Sequence, residues 1–166
     1  MNGIASESSG RVASLHLHPS EGGERFQTVE FIELETGKGI SGNPRYFARR
    51  SRDREFSKRQ VSLIEREQIA EHATTLGLGK IAPGTIRSNI ETSGVDLIVF
   101  IGQQIQIGEA ILFFYEARTG CAKMDAICSG LRELTKENRL GVLAQVVRGG
   151  RIRVGDEISL VKELVA

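Results

Sequence analysis

The chain has 166 residues, the length of about one domain, and a chain of this size buries roughly 70% of the surface its unfolded form exposes. Apolar residues make up 40% and charged residues 26%, with 22 Lys and Arg against 21 Asp and Glu, which excludes a wholly disordered chain. Two cysteines exclude a disulfide scaffold and a four-cysteine zinc site.

Met1 to Gly10 is small, polar and expected to be flexible, leaving residues 11–166 as one domain. It has neither the basic start nor the apolar run of a signal peptide, so the expected setting is cytoplasmic. Arg11 to His18 alternates and predicts a strand. Phe26 to Leu34 predicts a second strand, and Thr36 to Pro44 a glycine-rich loop. Val61 to Ile64 reads as a short strand. Glu65 to Leu76 reads as a helix, with Ile69, Ala73 and Leu76 on one stripe and Gly77 and Gly79 past its end. Arg87 to Thr92, Leu97 to Ile101, Gln104 to Ile107 and Ala110 to Ala117 predict strands. Ala122 to Lys136 predicts a helix. Leu143 to Val147, Arg151 to Val154 and Glu157 to Val161 predict the last strands. The segment Gln104 to Ile111 is echoed by Arg151 to Ile158, each turning at a Gly–acid pair, which predicts two similar corners. Many short strands, 19 glycines and only two helices define a mainly β chain, a small closed or nearly closed β-barrel. No apolar run reaches membrane-spanning length, so no membrane partner is expected.

Charge is concentrated in one place. Arg45 to Arg59 holds seven basic and two acidic residues, a net +5, so the other 151 residues carry −4. Tyr46, Phe47 and Phe56 interleave with the arginines and offer stacking faces. The segment reads either as a solvated loop or as an anion grip. The balanced total favours a compact anionic ligand over nucleic acid.

Cys121 follows Arg118-Thr119-Gly120 and precedes the second predicted helix. A helix N-terminus and the nearby cations Arg118 and Lys123 favour its thiolate, the form that attacks sulfur or carbon and binds soft metals. Cys128 reads as a packed helix-face residue. His16, His18 and His72 are scattered and read as solvent-facing rather than as zinc ligands. Gly84 to Gly94 is dense in polar groups, and Arg87, Ser88, Asn89 and Thr92 supply donors. No dinucleotide, Walker or nucleophile-elbow pattern occurs.

Several motifs occur in a recognisable order: Arg59-Gln60-Val61-Ser62-Leu63-Ile64, Pro83 to Ile90, Ile105 to Gly108, Gly120-Cys121, and Gly149 to Asp156. In this order the chain resembles the MOSC family, named for the C-terminal domain of molybdenum cofactor sulfurases, from about Arg11 to Val161. The resemblance implies a β-barrel that binds the molybdenum cofactor (molybdopterin) or carries sulfur as a persulfide on one cysteine. Cys121 matches that position, as sulfur carrier or as molybdenum ligand. The implied activities are sulfur transfer or molybdenum-dependent reduction of N-hydroxylated compounds. The resemblance also implies a sulfur donor such as a cysteine desulfurase, or a redox partner protein. Arg59, Gln60, Arg87, Ser88 and Asn89 match the cofactor-facing motifs, and Arg45 and Lys123 add charge beside them. Pyridoxal phosphate, which belongs to a fused sulfurase domain, is not expected. Where many members have Pro before the cysteine, Gly-Glu-Asn and Gly-Asp, this chain has Gly120, Arg87-Ser88-Asn89 and Gly42-Asn43. These exchanges raise two alternatives: a binding or structural barrel without the chemistry, or an anion- or nucleic-acid-binding module built on the basic segment.

Overall fold

The computed structural model describes residues 10–120 and 123–163. In chain order these form β1 (Gly10–Leu17), β2 (Gln27–Val29), β3 (Phe31–Glu35), β4 (Gly39–Ile40), β5 (Val61–Glu65), α1 (Arg66–Thr75) and β6 (Ile90–Ser93). There follow β7 (Gln104–Ile107), β8 (Ala110–Ala117), α2 (Lys123–Ile127), α3 (Leu131–Leu134), β9 (Val142–Arg148), β10 (Gly150–Arg153) and β11 (Glu157–Leu160).

Seven strands close a barrel in the order β11-β7-β8-β9-β5-β6-β1, and Gly10 opposite Ile158 seals β1 to β11. β5 and β6 run parallel, Leu63 opposite Ile90, while the other neighbours in the barrel are antiparallel. A parallel pair needs a crossover, and α1 supplies it. β2 extends the wall beyond β1, and β10-β3-β4 form a second small sheet.

An aliphatic core fills the barrel, with Val12, Leu15, Leu63, Ile90, Ile105, Leu112, Phe114 and Val142 buried. A second cluster, including Ile64, Ile69, Ile86, Met124, Leu131 and Leu140, lies where the helices cover the outside. β5 sits between the two. Its residues Val61 to Ile64 are all buried, so it reads as a continuous apolar run.

Several expectations change in the structure. The predicted Phe26 to Leu34 strand is broken at Glu30, and its halves join different sheets. Leu97 to Ile101 is not a strand. Ile98–Phe100 forms a 3-10 turn, with Phe100 N–H bonded to Leu97 and Ile101 N–H to Ile98. A short apolar run between glycines looks the same in either state. The second predicted helix is two, because Gly130 takes φ 90 before α3. In β1 an irregularity between Val12 and Ser14 shifts the register, placing both Val12 and Leu15 in the core.

The echoed corners also differ. Gln104 to Ile111 is a hairpin, whereas β10 and β11 enter separate sheets. The corners pack on each other instead: Glu109 accepts a bond from Arg151 N–H at 3.0 Å, and a Cβ on Gly108 would lie 2.9 Å from the Arg151 carbonyl.

Glu65, before α1, has a buried Oε1 without a hydrogen-bond partner. Burial first, then the Asp96 carboxylate, pushes its pKa from 4.5 up to about 7. The folded chain keeps a proton that the unfolded chain releases in this window, so Glu65 costs stability as pH rises through it. Glu65→Gln is therefore expected to be more stable than the natural chain above pH 7, with the gain shrinking toward pH 4.5. Chemical denaturation across that range measures it; a gain independent of pH would contradict the assignment.

Candidate functional site

The residues that seat the site are held by buried side chains that bond to backbone. Gln60 is 1% exposed. Its amide donates to the Gly37 and Ser57 carbonyls at 3.0 and 2.8 Å, and its Oε1 accepts from Val146 N–H at 2.8 Å. Asn89, equally buried, accepts from the N–H and hydroxyl of Ser62 and donates to the His16 carbonyl. These bonds tie the loops on either side of β5 to the barrel wall. Ser88 lies behind that wall, where its hydroxyl accepts from Arg118 at 2.8 Å. The side chains of Gln60, Ser88 and Asn89 are thus bonded within the protein.

The next layer down is a buried ionic network. Glu91 accepts from Arg66 at 2.6 Å, from Gly84 N–H at 2.8 Å and from the Ser14 hydroxyl at 3.3 Å. His16, beside it, has its pKa lowered by burial, with Glu91 opposing. The network pins the turn that delivers Arg87, whose φ of 68 lies in the left-handed region. Glycine adopts that conformation freely, which accounts physically for a turn that tolerates Gly at this point; Arg87 holds it at some backbone cost.

Above these supports lies a cavity of about 170 Å³. Arg45, Arg59, Arg87, Arg118 and Lys123 all line it, and no carboxylate among the described residues does. Arg45, Arg59, Arg87 and Lys123 form no ion pair with the described acidic residues. Aromatic faces hold two of them: the Arg59 guanidinium is 4.7 Å from the Tyr46 ring centre, and Arg87 is 5.1 Å from that of Phe26. Four unpaired cations around so small a space make a strongly positive cavity, since each would repel the others without an anion between them.

Of the residues the sequence singles out, Arg45, Arg59, Gln60, Arg87, Asn89 and Lys123 meet at this one cavity, while Ser88 stands behind it. Cys121 lies outside the described residues. In the chain it falls between Arg118 and Lys123, both of which line the cavity. The dipole argument for its activation weakens, because α2 spans five residues rather than a long helix. The neighbouring cations remain. Gly120 also has a local reason: a Cβ there would lie 2.4 Å from the Thr135 hydroxyl, which occupies the space a Pro ring would need. Cys128 is partly buried against the second hydrophobic cluster.

The histidines are not solvent-facing. His16 and His72 are fully buried. His72 Nε2 donates to the Arg139 carbonyl at 2.8 Å. His18 lines the cavity, between the rings of Phe26 and Tyr46. Burial, and then the positive charges of Arg45, Arg87 and Arg118, hold its pKa down at about 4, against the effect of its bond to Asn43. Sequence alone offers little to separate His18, just past the end of β1, from His16 within it, because the burial of each comes from residues distant in the chain.

A seven-strand barrel with a cation-lined cavity at the junction of its β1, β5, β6 and β8 ends defines the class of protein: a small closed β-barrel with a positively charged cavity. The MOSC domain family profile matches residues 22–159, and the chain belongs to this family, which is associated with the molybdenum cofactor. Solved structures share the fold. YuaD from Bacillus subtilis superposes with a TM-score of 0.75 at 20% identity, over 91% of this chain and 94% of its own. YiiM from Escherichia coli gives 0.66 at 19% identity, over 96% and 71%. YiiM from Geobacillus stearothermophilus gives 0.65 at 15% identity, over 92% and 75%. No curated protein matches the chain.

Proposed function

We propose that this protein binds the molybdenum cofactor, carries sulfur as a persulfide on Cys121, or does both. The observation that carries the reading is the cavity: five cations, no lining carboxylate among the described residues, and Cys121 between two of its lining residues in sequence. The donor set fits the chemistry of a phosphate and an oxo-metal anion. Arg45, Arg59, Arg87 and Lys123 would hold those groups, with Gln60, Ser88 and Asn89 fixing the wall behind them. When bound, the cofactor supplies a redox-active molybdenum centre. The chain's own residues neutralise charge, orient the anion and keep Cys121 as thiolate.

For sulfur carriage, the Cys121 thiolate attacks the outer sulfur of a donor protein's persulfide. A new S–S bond forms on Cys121, the donor's S–S bond breaks, and the donor leaves as thiolate. A cysteine desulfurase is such a donor. The exposed Arg49, Arg50, Arg52, Arg54 and Lys58, next to the cavity residues Arg45 and Arg59, offer an acidic donor or redox partner a complementary surface.

Mass spectrometry of protein purified from a molybdopterin-producing host is expected to find molybdopterin, a Cys121 persulfide, or both. Cys121→Ser is expected to remove the persulfide, and titration of Cys121 to give a pKa below the ordinary value of about 8.5. Neither species bound, together with a silent Cys121→Ser in the cell, would end the reading.

A further inference from the structure

We propose that His18 is a specificity-determining residue, selecting anions that bring their own hydrogen-bond donor, so that a protonated oxyanion is preferred to a fully deprotonated one. The proposal rests on the reading of the cavity as an anion site.

Asn43 is 4% exposed. Its Nδ2 donates to the Arg45 carbonyl at 2.7 Å and its Oδ1 accepts from His18 N–H at 2.8 Å, so the orientation of the amide is determined. The same Oδ1 lies 3.2 Å from His18 Nδ1. An acceptor there requires a proton on Nδ1. The Asn89 amide nitrogen is 3.5 Å from that atom, at the edge of hydrogen-bond range and farther than the Asn43 oxygen. A neutral ring with its proton on Nδ1 leaves a lone pair on Nε2.

Neutrality follows from the surroundings. Among the described residues, Arg45, Arg87 and Arg118 are the charged groups acting on the ring, and its remaining neighbours, Asn43, Asn89, Phe26 and Tyr46, are uncharged. A carboxylate at position 43 would accept the same two bonds from His18 but could not donate to the Arg45 carbonyl, and it would stabilise a histidinium. The amide makes them without charge.

Among the described residues, the other lining side-chain acceptors are occupied. Gln60 Oε1 accepts from Val146, Asn89 Oδ1 accepts from Ser62, and Ser62 Oγ accepts from Asn89 N–H. His18 Nε2 has no hydrogen-bond partner among the described residues, and the Tyr46 hydroxyl can donate as readily as accept. A ligand oxygen without a proton would set its lone pair against that of Nε2. An O–H, N–H or S–H would satisfy it, while the ligand's remaining oxygens accept from the arginines. Leaving a desolvated acceptor unpaired is the kind of penalty by which sites reject close analogues.

Inorganic phosphate and sulfate are the probes. At neutral pH every phosphate carries at least one O–H and sulfate carries none, whereas charge alone favours sulfate. Calorimetry on the full chain is expected to show phosphate bound about tenfold tighter than sulfate. His18→Phe, which keeps the ring contacts to Phe26 and Tyr46, is expected to abolish the preference. Asn43→Asp is expected to shift it toward sulfate by making His18 cationic. Nitrogen-15 NMR of the natural chain, which depends on no variant, is expected to find the proton on Nδ1 and a bare Nε2, with protonation only near pH 4. Equal binding of the two anions, or a proton on Nε2, overturns the proposal and leaves the anion site standing. If neither anion binds, both readings are overturned.

Discussion

Gly141→Ala is expected to destabilise the fold by about 4 kcal/mol or more, enough to lower Tm by roughly 10 °C. A Cβ at this position would lie 1.9 Å from the Leu63 carbonyl oxygen, 2.8 Å from its carbon and 2.9 Å from Ile64 Cα. All three are backbone atoms of β5, so no side-chain rotation relieves the clash. Gly141 also sits at φ 77, where an L side chain is strained whatever the space. Relief requires moving β9 away from β5, which breaks the pairing of Val142 with Leu63 and opens the barrel. Gly141 accepts the Arg118 N–H at 3.0 Å, so the same movement disturbs a cavity cation. Gly102→Ala supplies the contrast. Gly102 has φ 90 but open space around it, so its cost should stay near the conformational 1–2 kcal/mol. Thermal and urea unfolding of both variants measure the difference. Equal losses would mean that the close approach to β5 does not matter.

Glu91→Ala is expected to cost about 3–5 kcal/mol, since it leaves a charge partner and a buried donor behind. Arg66 would lose its 2.6 Å contact and Gly84 N–H its acceptor. Arg66 is 30% exposed and can turn toward water. Gly84 N–H cannot, because the ring of His16 packs against that glycine. The released turn carries Arg87, so phosphate affinity should fall with stability even though Glu91 does not line the cavity. Glu91→Gln retains one acceptor for Gly84 while removing the charge, and it should recover part of the affinity. If Glu91→Ala binds phosphate as the natural chain does, the network is structural support without influence on the site.

Most strands were legible because one or both of their faces lie against apolar neighbours. β7 and β8 alternate between well-placed glycines, and their boundaries match the expected ones closely. The segment 97–101 looks like a strand in sequence because it is apolar, but it packs on the barrel core without a sheet partner. Gly130 ended a helix that composition would have continued, since a left-handed φ cannot be seen in a residue type that adopts both signs. At the site, the cations could be read from their density in one segment and from motif order. Gln60 and Asn89 could be flagged but not interpreted: amides look like ligand donors in a sequence, and only three-dimensional partners reveal that both are bonded to backbone.

By itself the sequence determined a mainly β chain, a +5 segment on a −4 body, and one cysteine flanked by cations. Each of these depends on local periodicity or on counting. The tertiary structure alone decided that Arg45, Arg59, Arg87, Arg118 and Lys123, spread over 79 residues, surround a single cavity. It also decided that His18, just past the first strand, lines the same cavity without charge. The physical reason is the closure of the barrel. Pairing β1 with β6 and β11, and β5 with β6 and β9, brings distant loops to one end, and desolvation and like charge there set a protonation state that no neighbour in the chain dictates.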